Sequence, residues 1–302
     1  MNKLSDIGED ALIGRLVSGL NQGGDVLVGP GDDCAVVKTG KPGEYQLLKT
    51  DALVEGVHYL PETPAEQVGW KAVARVLSDF AAMGGVPRQL LVTIALPGTM
   101  EVSYVESLYQ GMERCAAQFG AVICGGETTA VPNGSAAVIS VAGTGKVMAG
   151  RLVRRGGGQV GDVVLVTGTL GGSISGKHLN FTPRLKEAEW LVSHFNLHAM
   201  MDLSDGLARD LPRMAKVSGC GYAIDESSLP CNPGCDVGQA LGDGEDYELL
   251  FTVGKERVSE LLSSWVLRFP DLPLTVVGEL TPIDQKCEAT TGRQSAGWEH
   301  FQ

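Results

Sequence analysis

The segment Met201-Asp202-Leu203-Ser204-Asp205-Gly206-Leu207-Ala208-Arg209-Asp210 packs three aspartates, a serine and a glycine into ten residues, then continues with helical apolar spacing. Asp and Ser compete with the backbone for hydrogen bonds, so they belong at a helix entrance rather than inside a helix. One of each would suffice for a cap, and the surplus carboxylates call for cations. Further acidic clusters stand upstream at Gly31-Asp32-Asp33, Thr50-Asp51 and Ser78-Asp79. Carboxylates beside glycine turns are hard oxygen donors, suited to holding Mg²⁺ against phosphates.

Each cluster also has a plainer reading. Gly31-Asp32-Asp33 is compatible with a hairpin turn, although one aspartate would satisfy that and the second stands at the mouth of a buried strand. Asp51 follows a strand and would sit at its end, where α/β proteins tend to place chemistry. His58, seven residues on, fits a core histidine as well as a substrate contact. Asp79 lies late in an apolar helix, at the negative end of the dipole, where an unpaired carboxylate is costly. It needs a cationic partner, with a metal ion the leading candidate. Gly171-Gly172-Ser173-Ile174-Ser175-Gly176-Lys177-His178 nearly spells a P-loop, but His178 replaces the hydroxyl that would bind Mg²⁺. A glycine-rich helix entrance is the simpler alternative. Gly242-Asp243-Gly244-Glu245-Asp246-Tyr247 lacks the ligand spacing of an EF-hand and is either a turn or a ligand-facing loop. Trp298-Glu299-His300-Phe301 suggests a tail that docks and stacks on a flat ligand. Neither GxSxG nor HExxH occurs.

The elements that must position these groups follow from periodicity and punctuation. Helices are expected over Ile7 to Leu20, from Thr63 to Ala82 or Met83, and over Val102 to Phe119. Thr63-Pro64-Ala65-Glu66 reads as a capping box with proline at the first helical position. Strands are expected at Cys34 to Val37, Tyr45 to Lys49, Gln89 to Leu96, Ala121 to Cys124 and Ala136 to Val141. Arg151-Leu152-Val153-Arg154-Arg155-Gly156-Gly157-Gly158 interrupts this pattern and marks a boundary near residue 148. Two domains are therefore expected, 1–147 and 148–302. The second restarts with a strand at Val163 to Thr167, followed by helices at Lys186 to Phe195, Leu207 to Val217 and Glu256 to Leu267. Its other strands are expected at Tyr222 to Asp225, Tyr247 to Val253 and Leu274 to Leu280.

A chain of 302 residues accommodates two domains, each with its own core. The net charge of −12 argues against nucleic acid or an anionic membrane as the main partner. It leaves phosphate ligands open, because metal ions can sit between two anions. Glycine is abundant, 41 residues, which suits tight turns and close approach of backbone to a ligand. Seven cysteines, an odd count with no CxxC, point to a reduced, cytoplasmic protein. Cys231 and Cys235 have metal-pair spacing but no further ligands nearby. No run reaches the ~18 apolar residues of a membrane span.

Eight segments together resemble thiamine-monophosphate kinases, in the ATP-binding superfamily that includes aminoimidazole ribonucleotide synthetase. They are GDDCAVV (Gly31–Val37), TDALVEGVHY (Thr50–Tyr59), LSDFAAMGGVP (Leu77–Pro87), GGETT (Gly125–Thr129), RGGGQVGDVVLVTGTLGGS (Arg155–Ser173), MDLSDGLARDL (Met201–Leu211), GEDYELLF (Gly244–Phe251) and GWEHF (Gly297–Phe301). Each is weak alone, but all eight in this order are specific, and they span nearly the whole chain. The resemblance implies a two-domain α/β (α+β) fold. Its N-terminal domain would pair with a twin into a barrel shared by a homodimer, and a C-terminal α/β domain would pack behind it. It implies phosphorylation of thiamine monophosphate by ATP, with several Mg²⁺ ions required and K⁺ often helpful. Asp33, Asp51, Asp79 and Asp202 would be metal ligands, with Thr50 assisting and Asp205 holding a further ion. Arg155 and Ser204 would touch ATP, and Gly126 and Glu127 would contact nucleotide and metal. His58, Glu245 and Trp298 would contact the thiamine phosphate.

Two positions depart from the family pattern. Glu127 stands where Asp is usual, which moves the carboxylate by one methylene. Lys49 stands where a hydroxyl residue usually precedes Thr-Asp, and its ammonium could replace part of a metal's charge. Fewer bound ions than the family norm are expected. Among related enzymes, selenophosphate synthetase needs a reactive Cys or selenocysteine in a glycine-rich N-terminal loop. The hydrogenase-maturation relative needs a C-terminal cysteine. GEDYELLF and GWEHF favour the thiamine enzyme over aminoimidazole ribonucleotide synthetase. A non-catalytic nucleotide-binding homologue is the alternative from a different class.

Overall fold

Two α/β units, each built on one sheet, carry the carboxylates to a common seam. The computed structural model describes residues 3–21, 23–283 and Gly297. The first unit comprises α1 (Glu9–Val17), β1 (Val26–Val28), β2 (Ala35–Lys38), β3 (Glu44–Val54), α2 (Ala65–Ala82), β4 (Val86–Pro97), α3 (Val102–Gln118), β5 (Val122–Val131) and β6 (Val138–Met148). Its sheet runs in the order β1-β2-β3-β6-β4-β5, antiparallel except for the parallel β4–β5 pair joined through α3. The core lies between this sheet and the α2–α3 pair, where Val36, Leu47, Val73, Val76, Leu77, Phe80, Leu90, Leu108 and Met112 are fully buried. The two helices cross at glycines. A Cβ on Gly69 would stand 2.0 Å from the Leu108 carbonyl oxygen, and one on Gly111 would stand 2.0 Å from that of Glu66. Only glycine admits that backbone approach.

The second unit comprises β7 (Val163–Thr167), α4 (Lys177–Asn180), α5 (Leu185–His194), β8 (Leu197–Asp202), α6 (Leu207–Ser218), β9 (Gly221–Ile224), α7 (Val237–Gly242), β10 (Leu249–Val253), α8 (Val258–Arg268) and β11 (Leu274–Thr281). Its sheet runs β8-β10-β7-β11-β9, with every neighbouring pair antiparallel. Side chains alternate between faces. Val164, Val166 and Leu250 pack towards α6, whereas Val163, Leu165, Leu249 and Phe251 pack towards α5 and α8. All five residues of β7 and all five of β10 are therefore buried. This explains why they read as unbroken apolar runs.

Several local expectations shift. The capping box at Thr63 does not form. Pro64 is the N-cap, Thr63 Oγ1 instead accepts from the Leu60 amide at 3.2 Å, and Glu66 pairs with Arg114. Strand β3 does not stop before Thr50-Asp51. It pairs with β6 over eleven residues, Glu44↔Met148 through Val54↔Val138, so Asp51 lies within the strand opposite Val141. Strand β8 and the six-residue α7 had no expected counterpart. Among the described residues no helix is long and apolar enough to cross a membrane. The six cysteines described there are free, Cys231 and Cys235 included.

Candidate active site

Three buried carboxylates from three distant segments meet at the seam between the units. Asp33 stands in the turn entering β2, after Gly31 at φ +118°. Asp79 faces out of the last turns of α2, and Asp202 ends β8. One oxygen of each lies within 4.8 Å of the others, and all three residues are buried. Ser78 Oγ donates to Asp202 Oδ2 at 2.5 Å, linking α2 to the second sheet. Two cations border the group. Lys49 Nζ lies 2.7 Å from Asp79 Oδ1, and the Arg155 guanidinium pairs with Asp33 Oδ1. The Arg155 amide also donates to Asp32 Oδ1 at 3.0 Å. Asp33 Oδ2 is buried without a hydrogen-bond partner.

Burial drives the Asp79 carboxyl well above the usual range, against the pull of Lys49 and with Asp202, Asp51 and Asp33 adding to the rise. Burial and Asp33 push Asp202 up to about 6, opposed by Ser78, Lys49 and Arg155. Crowded carboxylates resist ionisation together, and a divalent cation relieves that conflict. The donor set fits Mg²⁺: all ligand atoms are hard oxygens, they lie close together, and one of them is orphaned.

Beside this cluster lies a cavity of about 280 Å³ lined by Glu9, Asp51, Val57, His58, Arg75, Ile174, Ser204, Asp205, Asp243, Glu245 and Tyr247. Five carboxylates face Arg75 and a neutral imidazole. His58 Nδ1 accepts from the Val54 amide at 3.0 Å, and burial together with Arg75 lowers its pKa to about 4. Asp51 forms an ion pair with Arg75 at 3.0 Å, its other oxygen accepting from the Ala52 amide.

Glu245 and Tyr247 have φ of +54° and +50°, the only non-glycine residues with positive φ among those described. Such backbone is strained and persists where neighbours impose it. Here the Glu245 amide donates to the Ser204 carbonyl at 2.7 Å and the Tyr247 amide to that of Leu203 at 2.8 Å. The Gly244–Tyr247 loop is thus fastened to the chain leaving β8, and Asp202 and Glu245 are placed together.

Other candidates take different positions. Asp205 is outside the three-carboxylate group and pairs with Arg213. Asp210, fully buried, accepts from the Ser204 and Asp205 amides and shapes that turn. Thr50 lies near Ser140 on the exposed side of β3, at 3.4 Å. Gly126 and Glu127 lie on the edge strand β5, with Glu127 opposite Thr93 and exposed. A Cβ on Gly126 would meet the Val92 carbonyl oxygen at 1.8 Å, so the sheet itself requires this glycine. Trp298 falls outside the described residues.

The glycine-rich stretch Gly171–His178 is already occupied by carboxylates. Asp246 accepts from the Gly171 amide and Ser173 Oγ, and Asp243 from the Gly172 amide. Lys177 Nζ is held by the Thr169 carbonyl and Glu248. A P-loop would keep those amides and that lysine for phosphate, so the helix-entrance reading is the one observed.

Lys71, Arg75 and His178 were missed. Lys71, Arg75 and Asp79 are spaced four apart on α2, one charged stripe along a helix whose other residues between Val68 and Leu77 are apolar. That spacing was the available signal.

The pattern of AIR synthase related proteins, N-terminal domain, matches residues 31–147, and that of the C-terminal domain matches residues 159–282. A thiamine-monophosphate kinase of Rhodopirellula baltica is 33% identical over 273 residues, 84% of each chain. One from Aquifex aeolicus is 32% identical, with 99% of this chain and 100% of that protein covered. The solved structure of AaThiL complexed with AMPPCP and TMP superposes with a TM-score of 0.82 at 32% identity, covering 99% of both chains.

Proposed function

The chain belongs to the thiamine-monophosphate kinases within the family of AIR synthase related proteins, and on that premise we propose that it transfers the γ-phosphoryl group of ATP to the phosphate of thiamine monophosphate, yielding ADP and thiamine diphosphate. The observation that carries this reading is the buried Asp33–Asp79–Asp202 cluster beside an acidic cavity. The acceptor phosphate carries nearly two negative charges at pH 7, its second pKa being about 6. It is a ready nucleophile and needs no general base, which agrees with the neutral His58. The vitamin's thiazolium ring is cationic and suits a cavity lined by Glu9, Asp51, Asp205, Asp243 and Glu245.

The barrier is repulsion between two phosphates in line. Mg²⁺ held by Asp33, Asp79 and Asp202 would offset that repulsion and charge developing on the transferring group. Asp51, Thr50, Glu127 and Asp205 are proposed as further metal contacts, and Gly126, Arg155 and Ser204 as contacts to ATP. His58, Glu245 and Trp298 are proposed for the thiamine phosphate. Lys49 supplies a fixed positive charge on Asp79, so fewer ions than the family norm are expected in a nucleotide complex. Counting Mg²⁺ in the complexes of the wild type and Lys49→Thr tests this: the variant should gain an ion, and equal counts would remove the role given to Lys49.

We also propose a homodimer in which the β5 edges of two chains extend into a shared barrel. The N-terminal sheet leaves Leu48, Leu91 and Val122 exposed, at 40%, 50% and 62%. Unpartnered strand edges with apolar side chains favour pairing. A solution mass of twice the chain mass is expected, and a monomer at assay concentration would contradict the barrel.

The function itself is tested by ADP release with thiamine monophosphate against unphosphorylated thiamine. Turnover should require the monophosphate. A nucleotide sensor would release none with either, and a thiamine kinase would prefer the unphosphorylated vitamin.

A further inference from the structure

Lys71 lies in the middle of α2 and is completely buried. Its ammonium has three N–H bonds and meets three acceptors, each at 2.6 Å: the His58 carbonyl oxygen, His178 Nδ1 and Glu245 Oε2. Every donor is used, and an ammonium has no acceptor to offer. By this hydrogen count His178 Nδ1 accepts, and the ring proton sits on Nε2. The three partners come from separate places: the turn after β3, helix α4 and the strained Gly244–Tyr247 loop. One buried charge thus ties the two units together at the cavity. Lys71 itself does not line the cavity, whereas His58 and Glu245 both do.

We infer that Lys71, backed by His178, is a positioning residue for the acceptor substrate, holding Glu245 ionised and aimed at a cationic ring and holding His58 in place beside it. The inference rests on reading the cavity as the thiamine monophosphate site. Three further observations support it. Glu245 Oε2 accepts from Lys71, while Oε1 accepts from the Tyr247 hydroxyl at 3.3 Å. The carboxylate is thereby fixed in rotation as well as in place. Burial alone would raise the Glu245 pKa, but the Lys71 ammonium and the Arg75 guanidinium oppose it and hold the carboxyl below its usual range. The positive φ at Glu245 and Tyr247 also favours relaxation of the loop once the anchor is gone.

The test is a double-mutant cycle of Lys71→Met and Glu245→Gln, read as KM for thiamine monophosphate and KM for ATP, with unfolding followed by circular dichroism. Lys71→Met keeps the length of the stem and removes the charge. It should raise KM for thiamine monophosphate by about tenfold or more, with kcat reduced far less and KM for ATP little moved. In the Glu245→Gln background the same change should add little, because its effect passes through the carboxylate. Equal increases in both KM values, or full additivity of the two substitutions, would overturn the assignment. His178→Gln probes the same anchor with a smaller change if Lys71→Met does not fold, and it should show the same KM split. Wild-type protein that binds thiamine monophosphate in titration calorimetry without turning it over would sink the kinase reading alone, and the cycle would then be read on Kd. Absence of binding would sink both.

Discussion

Asp79→Asn is expected to abolish turnover, by about a thousandfold or more, because it removes one ligand charge from the site where transition-state charge is stabilised. Asparagine has nearly the same shape as aspartate, and its amide oxygen can still accept from Lys49, now 2.7 Å away. Asp79 is buried, its oxygen within 4.8 Å of those of Asp33 and Asp202, so no solvent can replace the lost charge. Two carboxylates would then share the cluster with Lys49 and Arg155, and a divalent ion would have little reason to enter. Four measurements separate this from simple damage to the fold. The far-ultraviolet spectrum and solution mass should match the wild type, Mg²⁺ affinity should fall, and kcat/KM should collapse. A variant that keeps wild-type rates would remove Asp79 from the mechanism.

Glu248→Gln should cause the largest loss of stability, with active-site residues untouched. Glu248 is buried at the start of β10's approach, where it accepts from Arg184 Nε and Nη2 at 2.7 and 2.6 Å, Lys177 Nζ at 3.2 Å and Thr167 Oγ1 at 2.8 Å. Glutamine keeps the volume but leaves two cations facing a neutral amide. Breaking a buried pair by removing one partner costs about 3–5 kcal/mol. For a unit of this size that corresponds to a drop in Tm of roughly 6–20 °C. Removing the opposing charge as well, in Glu248→Gln with Arg184→Met, should restore part of the loss, since the penalty lies in the unpaired cation. A Tm within about 2 °C of wild type in the single variant would mean that water reaches Arg184 and Lys177 and that the pair contributes little.

Much of the local structure was legible in the residues, and its failures have physical causes. β7 reads directly because Val163–Thr167 is an apolar run closed by Gly168, and α6 reads because its apolar residues recur with helical spacing. β3 ran past its expected end because pairing with β6 over eleven residues outweighs the polar character of Thr50 and Asp51. Strand stability comes from cross-strand neighbours, which sequence does not display. β8 was overlooked because His198-Ala199-Met200-Met201 has little β-branched content, and burial beside β10 makes it a strand. Thr63 kept the composition of a cap while its hydroxyl served the preceding turn.

Residue types alone established that this chain carries more carboxylates beside its glycine turns than capping can use, and that the order of those segments is the order found in one kinase family. Composition and motif order are properties of the chain, and they survive without coordinates. Which carboxylates share an ion is a matter of distance across 169 residues of chain, from Asp33 to Asp202. Folding alone sorts Asp33, Asp79 and Asp202 into one cluster, sends Asp205 to Arg213, and assigns Asp243 and Asp246 to amides of the glycine-rich loop. It also turns Lys71 from one more helix lysine into the pin of Glu245. The reason is that charge acts over a few ångströms, and a buried charge is stabilised only by partners that burial itself brings within reach.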